Sequence, residues 1–178
     1  MGRTERVNDA RATAEQIISL LTERRQTLAV AESCTGGLIG HLLTEVPGSS
    51  EAFRGGVIVY ANAIKEKLGV PAETLNEQGA VSAPAAHALA AGIRVWASAD
   101  YGLAVTGIAG PGGATDTKPV GLTYVALAAA DGVDVEQHIF SGNRSQNKLA
   151  AAKAALGLLE RTLALRGSVI HPERHGAS

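Results

Sequence analysis

Apolar residues recur along this chain in two alternating rhythms. Between residues 9 and 25, Ala14, Ile17, Ile18 and Leu21 fall three or four apart among charged neighbours, the spacing of one buried helix face. Leu28 to Ala31 is a short unbroken apolar run, which predicts a strand covered on both faces. Residues 38 to 46 return to helical spacing and stop at Pro47 and Gly48. The run from Gly56 to Tyr60 predicts a second strand. Asn62 then stands where it could cap a short helix that carries Lys65 and Lys67 and ends at Gly69 and Pro71. Ser82 followed by Pro84 opens a long alanine-rich helix through Trp96, because proline is tolerated in a first turn.

Tyr101 to Val105 predicts a third strand, and Leu122 to Ala130, apolar throughout, a fourth that belongs inside the sheet. Val133, Val135 and Ile139 give a fifth strand a single apolar face, ending near Phe140. Leu149 to Leu165 predicts a closing helix. Strands alternating with helices define an α/β chain whose functional groups belong in loops at the carboxyl ends of the strands. The short gap between the fourth and fifth strands predicts one antiparallel strand in an otherwise parallel sheet. Residues 9–166 read as one domain, with a flexible lead-in at 1–8 and a flexible tail at 167–178.

Composition narrows the class. At 178 residues the chain can bury one sizeable core, and 46% hydrophobic with only 3% aromatic residues makes that core aliphatic. Sixteen basic against 17 acidic residues leave a net charge of −1, and no basic stripe interleaved with aromatics suggests nucleic acid. A single cysteine, Cys34, excludes an internal disulfide and a four-cysteine zinc site and fits a reducing cytosol. No run reaches the length of a membrane span or a signal peptide, so a soluble cytoplasmic domain without membrane contact is expected. His171 and His175 stand four apart but beside Pro172, and no metal site is expected there or elsewhere.

Three stretches offer chemistry. AESCTGG, residues 31–37, places Ser33, Cys34 and Thr35 between a strand and a helix. Ser33 reads either as the helix cap or as a nucleophile, with the N–H groups of Thr35, Gly36 and Gly37 available to an oxyanion or phosphate. Cys34 has no evident histidine partner and reads as a small buried residue. VIVYANAIKEK sets Tyr60 at a strand end and Lys65 one turn into a helix, where a lysine is a base only if burial or a nearby cation lowers its pKa. Lys67 faces away, towards solvent. VTGIAGPGG supplies Thr106, Gly107 and Gly110 in a loop that is either a tight turn or a ligand cradle, and is neither a P-loop nor a dinucleotide fingerprint. Arg144, just after the fifth strand, can grip a phosphate in bidentate fashion or stay solvated.

In order and spacing, AESCTGG, GSSEAFRGGVIVYANAIKEKLGV, QGAVS, VTGIAGPGG, KPVG and the F-x-G-x-R near residue 140 resemble the C-terminal domain of the competence/damage-inducible CinA family. That family includes stand-alone nicotinamide-nucleotide amidases of the PncC type, and the resemblance runs from about residue 12 to 165. It implies a three-layer α/β/α sandwich with a mixed, mostly parallel sheet of about five strands. It also implies hydrolysis of the carboxamide of nicotinamide mononucleotide to nicotinate mononucleotide and ammonia, with no cofactor, in a homodimer. The implied catalytic set is Ser33, Lys65 and Tyr60. The substrate-binding set is Cys34, Thr35, Gly36, Thr106, Gly107, Gly110 and Arg144. Alternatives are an amidohydrolase acting on another nucleotide or small amide, or a non-catalytic nucleotide-binding module. Two motifs depart from the family pattern. In the late motif, Gly142-Asn143-Arg144 stands where the family has Gly-Asp-Arg, and Lys148 where it has a further arginine; the loop after GIAGP reads Gly112-Gly113-Ala114-Thr115-Asp116 where Asp-Gly-Gly is commoner.

Overall fold

The computed structural model describes residues 3–168. Eleven principal elements follow one another along them. They are α1 (Arg3–Glu23), β1 (Leu28–Glu32), α2 (Leu38–Thr44), β2 (Phe53–Ile58), α3 (Asn62–Lys67), α4 (Ala72–Glu77), α5 (Ala83–Trp96), β3 (Tyr101–Gly107), β4 (Leu122–Ala129), β5 (Gly132–Ile139) and α6 (Arg144–Ser168). The five strands form one sheet in the order β2-β1-β3-β4-β5. β1 pairs in parallel with β2 and β3, whereas β4 runs antiparallel to both β3 and β5, so β4 alone opposes the common direction. This is the mixed, mostly parallel sheet that the sequence predicts.

Helices cover both faces, and the two faces are built from different side chains. Leu28, Val30, Leu103, Val105, Val125 and Leu127 point to the layer formed by α1, α2 and α6, where Ala14, Ile17, Ile18 and Leu21 of α1 are all buried. Ala29, Ala31, Ala104, Ala126 and Ala128 point the other way, towards α5. Small residues on both sides let that helix lie very close. A Cβ at Gly102 would stand 2.2 Å from the Ala90 carbonyl oxygen, and one at Gly92 only 1.8 Å from that of Leu68. Ser82 caps α5 by accepting the Ala85 N–H, with Pro84 in the first turn, as its sequence predicts.

Several boundaries differ from the periodicity. α1 begins at Arg3, inside the stretch expected as a flexible lead-in, and α6 spans Arg144–Ser168, well beyond 149–165. The second strand runs over Phe53–Ile58, so Tyr60 lies in the loop beyond it. α3 is preceded by Ala61 in extended conformation and has no side-chain cap, so Asn62 is its first residue and not its cap. The periodicity did not indicate α4. His171 and His175 and the remainder of the tail from residue 169 lie outside the described residues.

Candidate active site

The carboxyl ends of β1, β2 and β3 come together at one edge of the sheet. The Val59 N–H donates to the Glu32 carbonyl at 2.8 Å, and the Ser33 N–H to the Val105 carbonyl at 3.0 Å. Ser33 is thus pinned between the strand end that leads to Tyr60 and Lys65 and the one that leads to the glycine loop.

Ser33 does not cap α2. Gly36 and Gly37 both take left-handed backbone angles, φ 63° and 95°, and this extra turn separates Ser33 from the helix, which starts at Leu38. The cap is supplied instead by Glu32. Its carboxylate is buried and accepts the N–H groups of Gly37 (3.0 Å), Ile39 (3.1 Å) and Gly40 (2.8 Å). A carboxylate at a helix N-terminus is favoured by both the unpaired N–H groups and the helix dipole. The sequence carried this signal in the glutamate ahead of Ser33, five residues before Gly37, but a cap reaching forward over a glycine turn has no simple spacing rule.

That arrangement decides which backbone donors remain. Gly37 is held by Glu32, and the Gly36 N–H donates to the Ser33 carbonyl at 3.2 Å. Among the described residues the N–H groups of Cys34 and Thr35 bond to no oxygen, and both lie against the Cys34 sulfur. The oxyanion donors expected at Thr35, Gly36 and Gly37 therefore narrow to those of Cys34 and Thr35. Thr35 itself is fully buried, and its hydroxyl is the one buried side-chain polar atom of the described residues without a partner.

Lys65 is the unusual residue of the site. Only 2% of it is exposed, and its Nζ donates to the backbone carbonyl of Tyr60 at 3.0 Å. Burial holds its pKa below the ordinary 10.5, opposed only by the proximity of Cys34. Lys67, by contrast, is exposed. Burial pushes the Cys34 thiol up to about 11, and the Glu32 carboxylate adds to the rise against the pull of Lys148 and the neighbouring N–H groups. Cys34 is therefore a neutral thiol near neutral pH.

Tyr60 is 62% exposed, and its phenol oxygen accepts from Arg144 Nη2 at 3.2 Å rather than from Lys65. Arg144 Nη1 donates to the Gly110 carbonyl at 2.8 Å, so one guanidinium bridges the tyrosine and the glycine loop. Gly110 has φ 84°, and a Cβ there would fall 2.6 Å from Val120 Cγ1. At Gly107 a Cβ would meet Thr123 Oγ1 at 2.7 Å and Cys34 Sγ at 3.1 Å, so this glycine makes room for the thiol. Thr106 is held within the fold. It is buried, and its hydroxyl donates to the Ala80 carbonyl at 2.8 Å, tying the 78–82 turn to β3. Lys118 reaches the same turn through the Gln78 carbonyl.

One residue, Asn147, was missed by sequence reasoning, and Lys148 was singled out only as a departure from the family pattern. Buried Asn147 donates to the Ala109 carbonyl at 3.1 Å and accepts from the Gly142 N–H at 2.9 Å, fixing the glycine loop to the start of α6. Lys148 lies beside the serine turn, its Nζ 3.5 Å from where a Gly36 Cβ would stand. A groove of about 1310 Å³ runs along the first turns of α6, lined by Gly110, Arg144 and Lys148 with apolar neighbours that include Val120 and Phe140. Ser33, Tyr60 and Lys65 lie outside it. Among the described residues, no helix is long and apolar enough to cross a membrane.

A mixed α/β sheet with a buried lysine beside a Ser-Cys-Thr-Gly-Gly turn defines the class. Residues 10–163 match the model of the CinA C-terminal domain, and the chain belongs to that family. A putative competence-damage inducible protein from Caldicellulosiruptor bescii is 49% identical over 156 residues, covering 87% of this chain and 38% of the relative. A CinA-like protein from Synechococcus sp. (strain CC9902) is 52% identical over 135 residues, 75% of this chain and 32% of the relative. The chain thus spans about a third of the length of these curated relatives. Among solved structures, the competence/damage inducible protein CihA from Agrobacterium tumefaciens superposes with a TM-score of 0.82 at 41% identity. That match covers 88% of this chain and 96% of the other. A CinA superfamily protein from Klebsiella pneumoniae gives 0.84 at 28% identity, covering 88% and 98%.

Proposed function

We propose that this domain is an amidohydrolase that removes ammonia from the carboxamide of nicotinamide mononucleotide, using Ser33 as nucleophile and Lys65 as base. The observation that carries the reading is the buried Lys65, its pKa lowered by desolvation and its Nζ held at 3.0 Å to the Tyr60 carbonyl beside the serine turn. A lysine kept this way gives up its proton more readily than a free amine, which is what a general base at this position needs.

In this scheme Ser33 Oγ attacks the carboxamide carbon as its proton passes to Lys65 Nζ. The N–H groups of Cys34 and Thr35 receive the charge that develops on oxygen. Collapse breaks the C–N bond, the Lys65 proton leaves with ammonia, and an ester to Ser33 remains. Water, deprotonated by the same amine, opens the ester to release nicotinate mononucleotide. Tyr60 is tied through its hydroxyl to Arg144, and Arg144 and Lys148 supply positive charge for the substrate phosphate.

Incubating the purified protein with nicotinamide mononucleotide and measuring ammonia and the acid product tests the proposal directly. Turnover that disappears in Ser33→Ala supports it. Binding of the nucleotide without ammonia release by the unaltered protein would make the domain a binding module instead.

A further inference from the structure

We infer that an anionic group on the substrate, held between Arg144 and Lys148, draws the two arms of the site together and so accelerates the chemical step as well as anchoring the ligand. The inference rests on the reading above, that this site hydrolyses the amide of a phosphate-bearing substrate.

The site is built in two arms. One is the serine turn, from Ser33 to Gly37. The other is the loop after β2, which carries Tyr60 and positions Lys65. The strands beneath them are joined by the Val59 N–H to the Glu32 carbonyl. Beyond that bond, among the described residues, no hydrogen bond links one arm to the other. Lys65 is fixed within its own arm, to the Tyr60 carbonyl. Tyr60 is mostly exposed, and its phenol has a single partner, Arg144.

Arg144 and Lys148 stand one helical turn apart on α6, and each reaches a different arm. Arg144 contacts Tyr60 and Gly110, whereas Lys148 lies against Gly36. Neither side chain has an ion-pair partner among the described residues, and the first turn of α6 holds no acidic residue. Two like charges four residues apart repel, and cations are disfavoured at a helix start. Their mount is nevertheless rigid. Asn147 bonds both Ala109 and Gly142, while Asn143 and Gln146 exchange side-chain-to-backbone bonds across the first turn.

A dianion seated on this pair relieves the repulsion and links the Tyr60 arm to the Gly36 arm. Tyr60 and the loop that holds Lys65 are then ordered against the serine turn. Binding energy from a non-reacting part of the substrate is thereby used to assemble the reacting groups, which raises kcat and not only affinity.

The test uses nicotinamide riboside, which has the amide and lacks the phosphate, with inorganic phosphite as the separate dianion. With nicotinamide mononucleotide as reference, the riboside should be turned over with a kcat lower by about 10²-fold, and saturating phosphite should raise its turnover by about 10-fold or more. Arg144→Ala and Lys148→Met should each abolish the phosphite effect, and in each the mononucleotide should lose kcat as well as affinity. Phosphite that leaves riboside turnover unchanged, while the mononucleotide is hydrolysed normally, overturns the inference and makes the phosphate a handle only. No turnover of the mononucleotide overturns the proposed activity itself, a different result.

Discussion

Lys65 is held by the backbone of Tyr60, not by its phenol: the Nζ-to-carbonyl distance is 3.0 Å, while the hydroxyl belongs to Arg144. The two functions of this tyrosine are therefore separable. Tyr60→Phe should keep the lysine in place and lower turnover by only about 10- to 100-fold, leaving the pH inflection of kcat/KM where it is in the parent protein. An inflection that moves would mean that the phenol, and not the carbonyl, tunes the amine.

Removing the amine should cost more. Lys65→Met should lower kcat by about 10²–10⁴-fold, and the parent activity should rise with pH up to an inflection below the free-lysine value of about 10.4.

Stability should move the opposite way. Because burial lowers the folded pKa of Lys65 from 10.5, the unfolded chain binds more protons between those two values. Parent stability therefore climbs with pH across that window, while below it the buried charge is a continuous cost. Lys65→Met should melt higher than the parent at pH 7, and its advantage should shrink as pH approaches 10.5, as calorimetry on both proteins can measure.

The neighbouring nucleophiles should separate sharply. Ser33→Ala should reduce turnover by at least about 10³-fold. Cys34→Ala removes a thiol whose pKa is raised to about 11 and should leave turnover within a few-fold of the parent, at a stability cost of about 1 kcal/mol for the small void. Ammonia release and thermal melts on the same preparations check both.

Glu32→Gln replaces an anion that accepts three N–H groups with an amide whose nitrogen cannot accept. A loss of about 1–3 kcal/mol is expected from denaturant titration, together with reduced kcat, because the same carboxylate sets the turn that carries Ser33.

Much of the fold could be read in the sequence because its elements obey simple periods. Ala14, Ile17, Ile18 and Leu21 fall on one helical face, and the run from Leu122 predicts an interior strand; in the structure the four helix residues are buried, and so is β4 apart from half-buried Tyr124. β4 runs against its neighbours as the short gap to β5 implies. α4 escaped notice because a six-residue helix with one buried leucine, Leu75, gives no periodic signal. Some helix ends were also misplaced, such as the starts of α1 at Arg3 and α6 at Arg144, since caps are decided by geometry that composition does not encode. The left-handed Gly36-Gly37 turn moves the start of α2 away from Ser33 and gives the capping role to Glu32.

For the site, residue types were easier to read than their partners. That Lys65 would be buried and Arg144 would bridge two loops depends on contacts between positions distant in the chain, 84 residues apart for Tyr60 and Arg144. Thr106 shows the converse. Its place at a strand end suggested a ligand contact, and in the folded chain its proton goes to the Ala80 carbonyl.

The alanine-lined side of the sheet limits how this molecule can vary over generations. Where bulky aliphatics meet α1 and α6, volume lost at one position can be regained at another. Around α5 there is no such slack, since a side chain at Gly102 would run into the Ala90 carbonyl of that helix, and one at Gly92 into the Leu68 carbonyl. One added methyl group would lift the whole helix, and the turn leading into α5 is fastened to the strand that ends beside the serine. Substitutions outside the site could thus be felt at the reacting groups, and a lineage would find that side of the molecule the slowest to drift.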